Sequence, residues 1–73
     1  MHIYRYATLM RPPGPGAVPR KGLMQTIGKH FNAPSGHFCW GAAEYDRPLT
    51  DEEISGYELE YITDYEMEEA DEN

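Results

Sequence analysis

The sequence predicts an α+β fold: a small antiparallel sheet of three or four strands, one short helix at about residues 50–55, and an acidic C-terminal tail. Three observations predict it. Residues 38–45, Phe-Cys-Trp-Gly-Ala-Ala-Glu-Tyr, are short and aromatic and lie between Gly36 and Pro48, as a packed strand requires. Thr50-Asp51-Glu52-Glu53 has capping-box spacing, in which the Thr hydroxyl and the Glu carboxylate each satisfy a backbone N–H at the helix start. Residues 57–62 alternate aromatic or aliphatic with acidic side chains, the pattern of a half-buried strand with its carboxylates in water.

The chain supports this element by element. Residues 2–9 alternate as a first strand, with Tyr4, Tyr6 and Thr8 on one face and Ile3, Arg5, Ala7 and Leu9 on the other. Residues 11–20 hold four prolines and two glycines and must be a loop, since proline donates no backbone hydrogen bond. Residues 22–31 have partly helical spacing, but Gly28 weakens a helix and Gly22 caps none, so a strand is preferred. Asn32-Ala33-Pro34-Ser35-Gly36 is turn chemistry leading to the Phe38 strand, on which Phe38 and Trp40 share a face. Pro48 keeps the helix from starting before Thr50, the acids of its first turn suit the helix dipole, and Gly56 is expected to end it. Residues 57–65 could also be helical, with Ile54, Tyr57, Tyr61 and Tyr65 in line; Gly56, costing about 1 kcal/mol inside a helix, favours the strand.

Length and composition limit the rest. A 73-residue chain has room for one core, expected over residues 1–62, with 63–73 an acidic tail that is flexible when alone. One cysteine rules out an internal disulfide and suits a reducing interior. No apolar run approaches the roughly 20 residues that cross a bilayer, and the first residues lack a signal-peptide centre, so a cytoplasmic protein without a membrane role is expected.

Charge divides the chain. Residues 1–43 hold no acid and carry +5, whereas residues 44–73 hold all thirteen acids against Arg47 alone and carry −12. Cross-strand pairs between the halves can neutralise part of this, but a net negative surface should survive, repelling nucleic acid and attracting basic proteins. The acids expected to form that partner-binding surface are Asp51, Glu52, Glu53, Glu58, Glu60, Asp64, Glu66, Glu68 and Glu69.

Chemistry-bearing motifs are sparse. His37 and Cys39, with His30 nearby, could be drawn as metal ligands or as nucleophile and base. The pair lacks the repeated short spacing of a zinc site and has no third orienting group, so a buried Cys beside a surface His is the reading preferred. No cofactor is expected, because the glycines match neither a dinucleotide nor a P-loop pattern. A polyproline-ligand role for Pro12 to Pro15 and base stacking by the tyrosines rank lower.

Tyr4-x-Tyr6, Leu9-x-Arg11-Pro12-Pro13-x-Pro15-Gly16-Ala17-x-Pro19, Gly22-Leu23, Trp40-Gly41, Tyr45-Asp46-Arg47-x-Leu49-Thr50-x-x-Glu53-Ile54 and Tyr57-Glu58-Leu59 resemble a group of small proteins from phages and mobile elements of gut Firmicutes, related to the defence-against-restriction A family. The resemblance covers residues 4–59 and brings no catalytic residues. It implies a counter-defence protein in the bacterial host cell: a non-enzymatic inhibitor, anti-CRISPR or anti-restriction, whose acidic face mimics DNA and blocks the groove of a basic partner nuclease. The alternative is an interaction module that docks to a phage or mobile-element partner through exposed aromatics.

Overall fold

The computed structural model describes residues 1–68. Its strands are β1 (His2–Thr8), β2 (Leu23–Ile27), β3 (Phe31–Asn32), β4 (Phe38–Cys39), β5 (Gly41–Tyr45) and β6 (Leu59–Glu66), with one helix, α1 (Asp51–Gly56), between β5 and β6. Four strands form an antiparallel sheet in the order β2-β5-β1-β6, while β3 and β4 form a separate two-stranded ribbon.

β1 is central because both its faces are covered. Tyr6 and Thr8 bury on one side, Ile3 and Ala7 on the other. Its neighbour β5 is buried along its whole length, which explains the small residues Gly41, Ala42 and Ala43. At Gly41 the constraint is steric: a Cβ there would sit 2.4 Å from the Ile27 carbonyl oxygen and 2.7 Å from Pro13 Cδ. The proline-rich loop can close over the sheet only because that side chain is missing.

The larger core cluster joins Tyr6, Val18, Ala43, Tyr45, Leu49 and Leu59, with Ile54 of α1 and Tyr57 at its C-cap packed against it. Tyr45 anchors it. Its ring is fully buried and meets Tyr6 edge-on with centroids 6.1 Å apart, and its hydroxyl donates to the Pro19 carbonyl at 2.6 Å, tying the loop down. An aromatic pair of this kind contributes about 1 kcal/mol beyond its buried area. On the opposite side of the sheet, Ala7, Ala33 and Cys39 form a smaller cluster beneath the β3–β4 ribbon.

The capping box is present in full: the Glu53 N–H donates to the Thr50 hydroxyl at 3.1 Å, and the Thr50 N–H donates to the Glu53 carboxylate at 2.9 Å. The strand after α1 is also confirmed. The helix ends at Gly56, as expected, and the chain reverses two residues later at Glu58, whose φ of 58° is the left-handed conformation usual after a helix end. Other boundaries differ from expectation. The strand expected over residues 38–45 breaks at Trp40, where the N–H donates to the Thr8 carbonyl at 2.9 Å as the chain passes from ribbon to sheet. Trp40 is half-buried, outside both core clusters.

The expected boundary at residue 62 is corrected as well. β6 continues through Glu66, with Ile3 opposite Tyr65 and His2 opposite Glu66, because β1 supplies a full-length partner that composition alone could not reveal. Residues 69–73, the last part of the expected tail, lie outside the described residues.

Candidate functional site

Eight of the nine acids expected to form one surface are described; Glu69 lies outside the described residues. They do not form one continuous face. A bulge separates Tyr61, opposite Tyr6, from Thr63, opposite Arg5, and leaves Ile62 as the extra residue. Without it Glu60 and Asp64 would point the same way. With it Glu60, opposite Ala7, lies on the side of the ribbon, while Asp64 and Glu66, opposite Tyr4 and His2, lie on the α1 side.

Each β6 acid, and Glu58 just before the strand, meets a compensating group. Glu58 accepts from Arg11 at 2.7 Å, and Glu60 contacts His37 at 3.0 Å. Asp64 accepts from the Tyr61 hydroxyl and meets His2. Glu66 contacts the N-terminal ammonium at 2.6 Å and His2 at 3.2 Å. These contacts lower the carboxyls of Glu60 (His37 and Ser35), Asp64 (Tyr61, then His2) and Glu66 (the ammonium, then His2), keeping them ionised. His2 is raised in return by Asp64 and Glu66.

On α1, Glu53 is held by both terminal nitrogens of Arg47 and by the capping N–H, which bring its carboxyl down to about 2. Asp51 and Glu52 are exposed in the same first turn, with no cation paired to them among the described residues. The acidic surface is thus a helix-start patch beside a partly compensated strand edge.

Sequence reading missed Glu44. Its side chain is 1 % exposed, yet it accepts from Arg5 Nε at 2.7 Å, Gln25 at 2.7 Å and the Tyr65 hydroxyl at 3.0 Å. Burial alone would raise this carboxyl; those donors outweigh it and hold the group below its usual range. One signal was available in principle, since Glu44 is the single acid inside the 38–45 stretch.

His37 and Cys39 separate as preferred. Cys39 is buried, with burial pushing its thiol up, away from the reactive thiolate, while His37 is exposed and turned to Ser35 and Glu60. Among the described residues no group of three or more His, Cys, Asp or Glu is placed to hold a metal ion. A cleft of about 310 Å³ between the proline-rich loop and β2 offers Arg20 and Thr26, with no carboxylate, His or Cys in its lining. No helix among the described residues is long and apolar enough to cross a membrane.

A second surface feature is aromatic. His30, Phe38 and Trp40 meet edge-to-face with centroids 5.3 to 5.6 Å apart, and Phe38 is 50 % exposed.

Comparison with known proteins gives this geometry a context. A family model described as Defence against restriction A C-terminal matches residues 1–64. The chain is similar to the Defense against restriction protein A of Escherichia phage P1, at 37 % identity over 60 residues, which is 81 % of this chain and 9 % of that protein. The chain thus spans about a tenth of the length of the curated relative it matches. No solved structure matches it.

Proposed function

Because the chain belongs to the Defence against restriction A C-terminal family, we propose that it protects a phage or mobile element from host restriction, as a non-enzymatic protein whose acidic surface substitutes for nucleic-acid phosphates. The match over residues 1–64 is the observation that carries the anti-restriction reading. The mimicry is supported by charge: Asp51 and Glu52 stand uncompensated among the described residues at the start of α1, and Asp64 and Glu66 recur on the same side of the sheet, roughly 7 Å apart as strand geometry dictates. A basic groove in a restriction nuclease or CRISPR effector is the partner such a surface fits, with direct contact to nucleic acid disfavoured by like charge.

The test is order of addition in a nuclease protection assay with purified effector. Protection that requires adding this protein before the nucleic acid, and that weakens as salt rises, supports mimicry. Inhibition indifferent to both replaces it with the second reading, a protein-docking module in which the His30–Phe38–Trp40 group is the anchor. The half-exposed Phe38 favours that alternative, since buried-on-binding aromatics dominate protein interfaces.

A further inference from the structure

The sheet order sets two electrically opposite strands at its two edges. Among the described residues β2 pairs only with β5 and β6 only with β1, so each turns an outer row of backbone N–H and C=O groups away from the sheet. β2 is bracketed by Lys21 and Lys29, both exposed and neither in an ion pair among the described residues. Within it, Leu23-Met24-Gln25-Thr26-Ile27 holds no charge and no proline, two of the usual guards of an edge; its one guard is a register shift against β5 at Met24, which is 44 % exposed. The β6 edge is rich in acids that hold partners only on their own chain: Glu58, paired with Arg11, precedes it, and Glu60, Asp64 and Glu66, which meet His37, His2 and the N-terminal ammonium, punctuate it, with Glu66 still at 64 % side-chain exposure.

These charges select among pairings. Two β2 edges brought together would set lysines against lysines, and two β6 edges carboxylates against carboxylates; like charges across a strand pair are destabilising. Only β2 against β6 joins opposite signs. We propose that the chain assembles head to tail with a second copy of itself, the β6 edge of one copy adding as a strand to the β2 edge of the next. The two patches differ, so the contact is heterologous, and each added copy presents a fresh edge until the array closes into a ring. The net charge of −7 opposes this at long range, but screening over about 8 Å at physiological salt confines that repulsion while edge pairs remain in contact.

Sedimentation velocity of the full chain over a concentration series at about 0.15 M salt tests the proposal. The wild type is expected to grow in mass with concentration. Lys21→Glu with Lys29→Glu, and separately Asp64→Asn with Glu66→Gln, should each weaken self-association roughly tenfold. The first pair leaves β6 native and the second leaves β2 native, so their equimolar mixture should associate again. Circular dichroism checks that each folds, and Thr26→Asp replaces the lysine pair if it does not. A wild type that stays monomeric throughout, variants that associate as the wild type does, or a mixture no stronger than its components overturns the proposal.

Discussion

Arg47 holds Glu53 with two guanidinium nitrogens, each 2.9 Å from a carboxylate oxygen, while its third nitrogen donates to the Lys21 carbonyl at 2.9 Å. One side chain therefore joins the loop entering β2 to the first turn of α1, and the carboxylate it grips is the one that completes the capping box. Thr50→Ala should cost about 1 kcal/mol, because it removes the hydroxyl that accepts from the Glu53 N–H. Urea denaturation of the two proteins measures it.

Acid should unfold the domain through several carboxylates together. Glu53, Glu44, Glu60, Asp64 and Glu66 all lie below their ordinary values in the folded protein, so they contribute stability above those values and lose it as pH falls. For Glu53 the window runs from 4.5 down to about 2. Arg47→Met should flatten this acid limb in a pH series of thermal midpoints; an unchanged slope would remove Arg47 as its cause.

His2 acts in the opposite sense. Raised by Asp64 and Glu66, it contributes stability that is complete below 6.5 and lost as pH climbs through its elevated folded value. The stability maximum should therefore lie at about pH 5 to 6. His2→Ala should abolish the decline above it, which the same midpoint series reads.

The Glu44 network is the costliest to break. Glu44→Ala leaves Arg5, Gln25 and Tyr65 without their common acceptor, and should cost roughly 3 kcal/mol, the low end for a buried pair because Arg5 reaches solvent. Arg5→Met with Glu44→Leu should recover part of that loss. Denaturation of the single and double variants decides whether the pair or its mere burial matters.

The aromatic anchors should rank differently from their sizes. Trp40 is the largest side chain but is half-buried, so Trp40→Ala should cost roughly 1 to 2 kcal/mol, whereas fully buried Tyr45→Ala should cost roughly 3 to 5. Equal losses would return Trp40 to the core.

Local signals carried the sequence reading well. Thr50 and Glu53 are three residues apart, so their mutual hydrogen bonds were written in the spacing, and the alternation after Gly56 identified a strand correctly. What was hidden depends on distant segments. Arg5 meets Glu44 only because β1 lies beside β5, and Tyr65 joins them only because β6 lies beside β1. The same strand order carries β6 past residue 62, and the bulge at Ile62 divides an acid series that reads as continuous in one dimension. Trp40 stays half-buried because hydrophobicity gives only a tendency to bury, and the two-residue strand before it offers little to bury against.

The central place of β1 also sets the order of events in folding. The first strand of the chain has both its neighbours far along the sequence, with Tyr4 against Tyr45 and His2 against Glu66. Each pairing must close a long loop before it gains a hydrogen bond, so a sheet built this way forms late and slowly for its size. During synthesis β1 has no sheet partner until β5 emerges, and its second edge stays open until β6 follows.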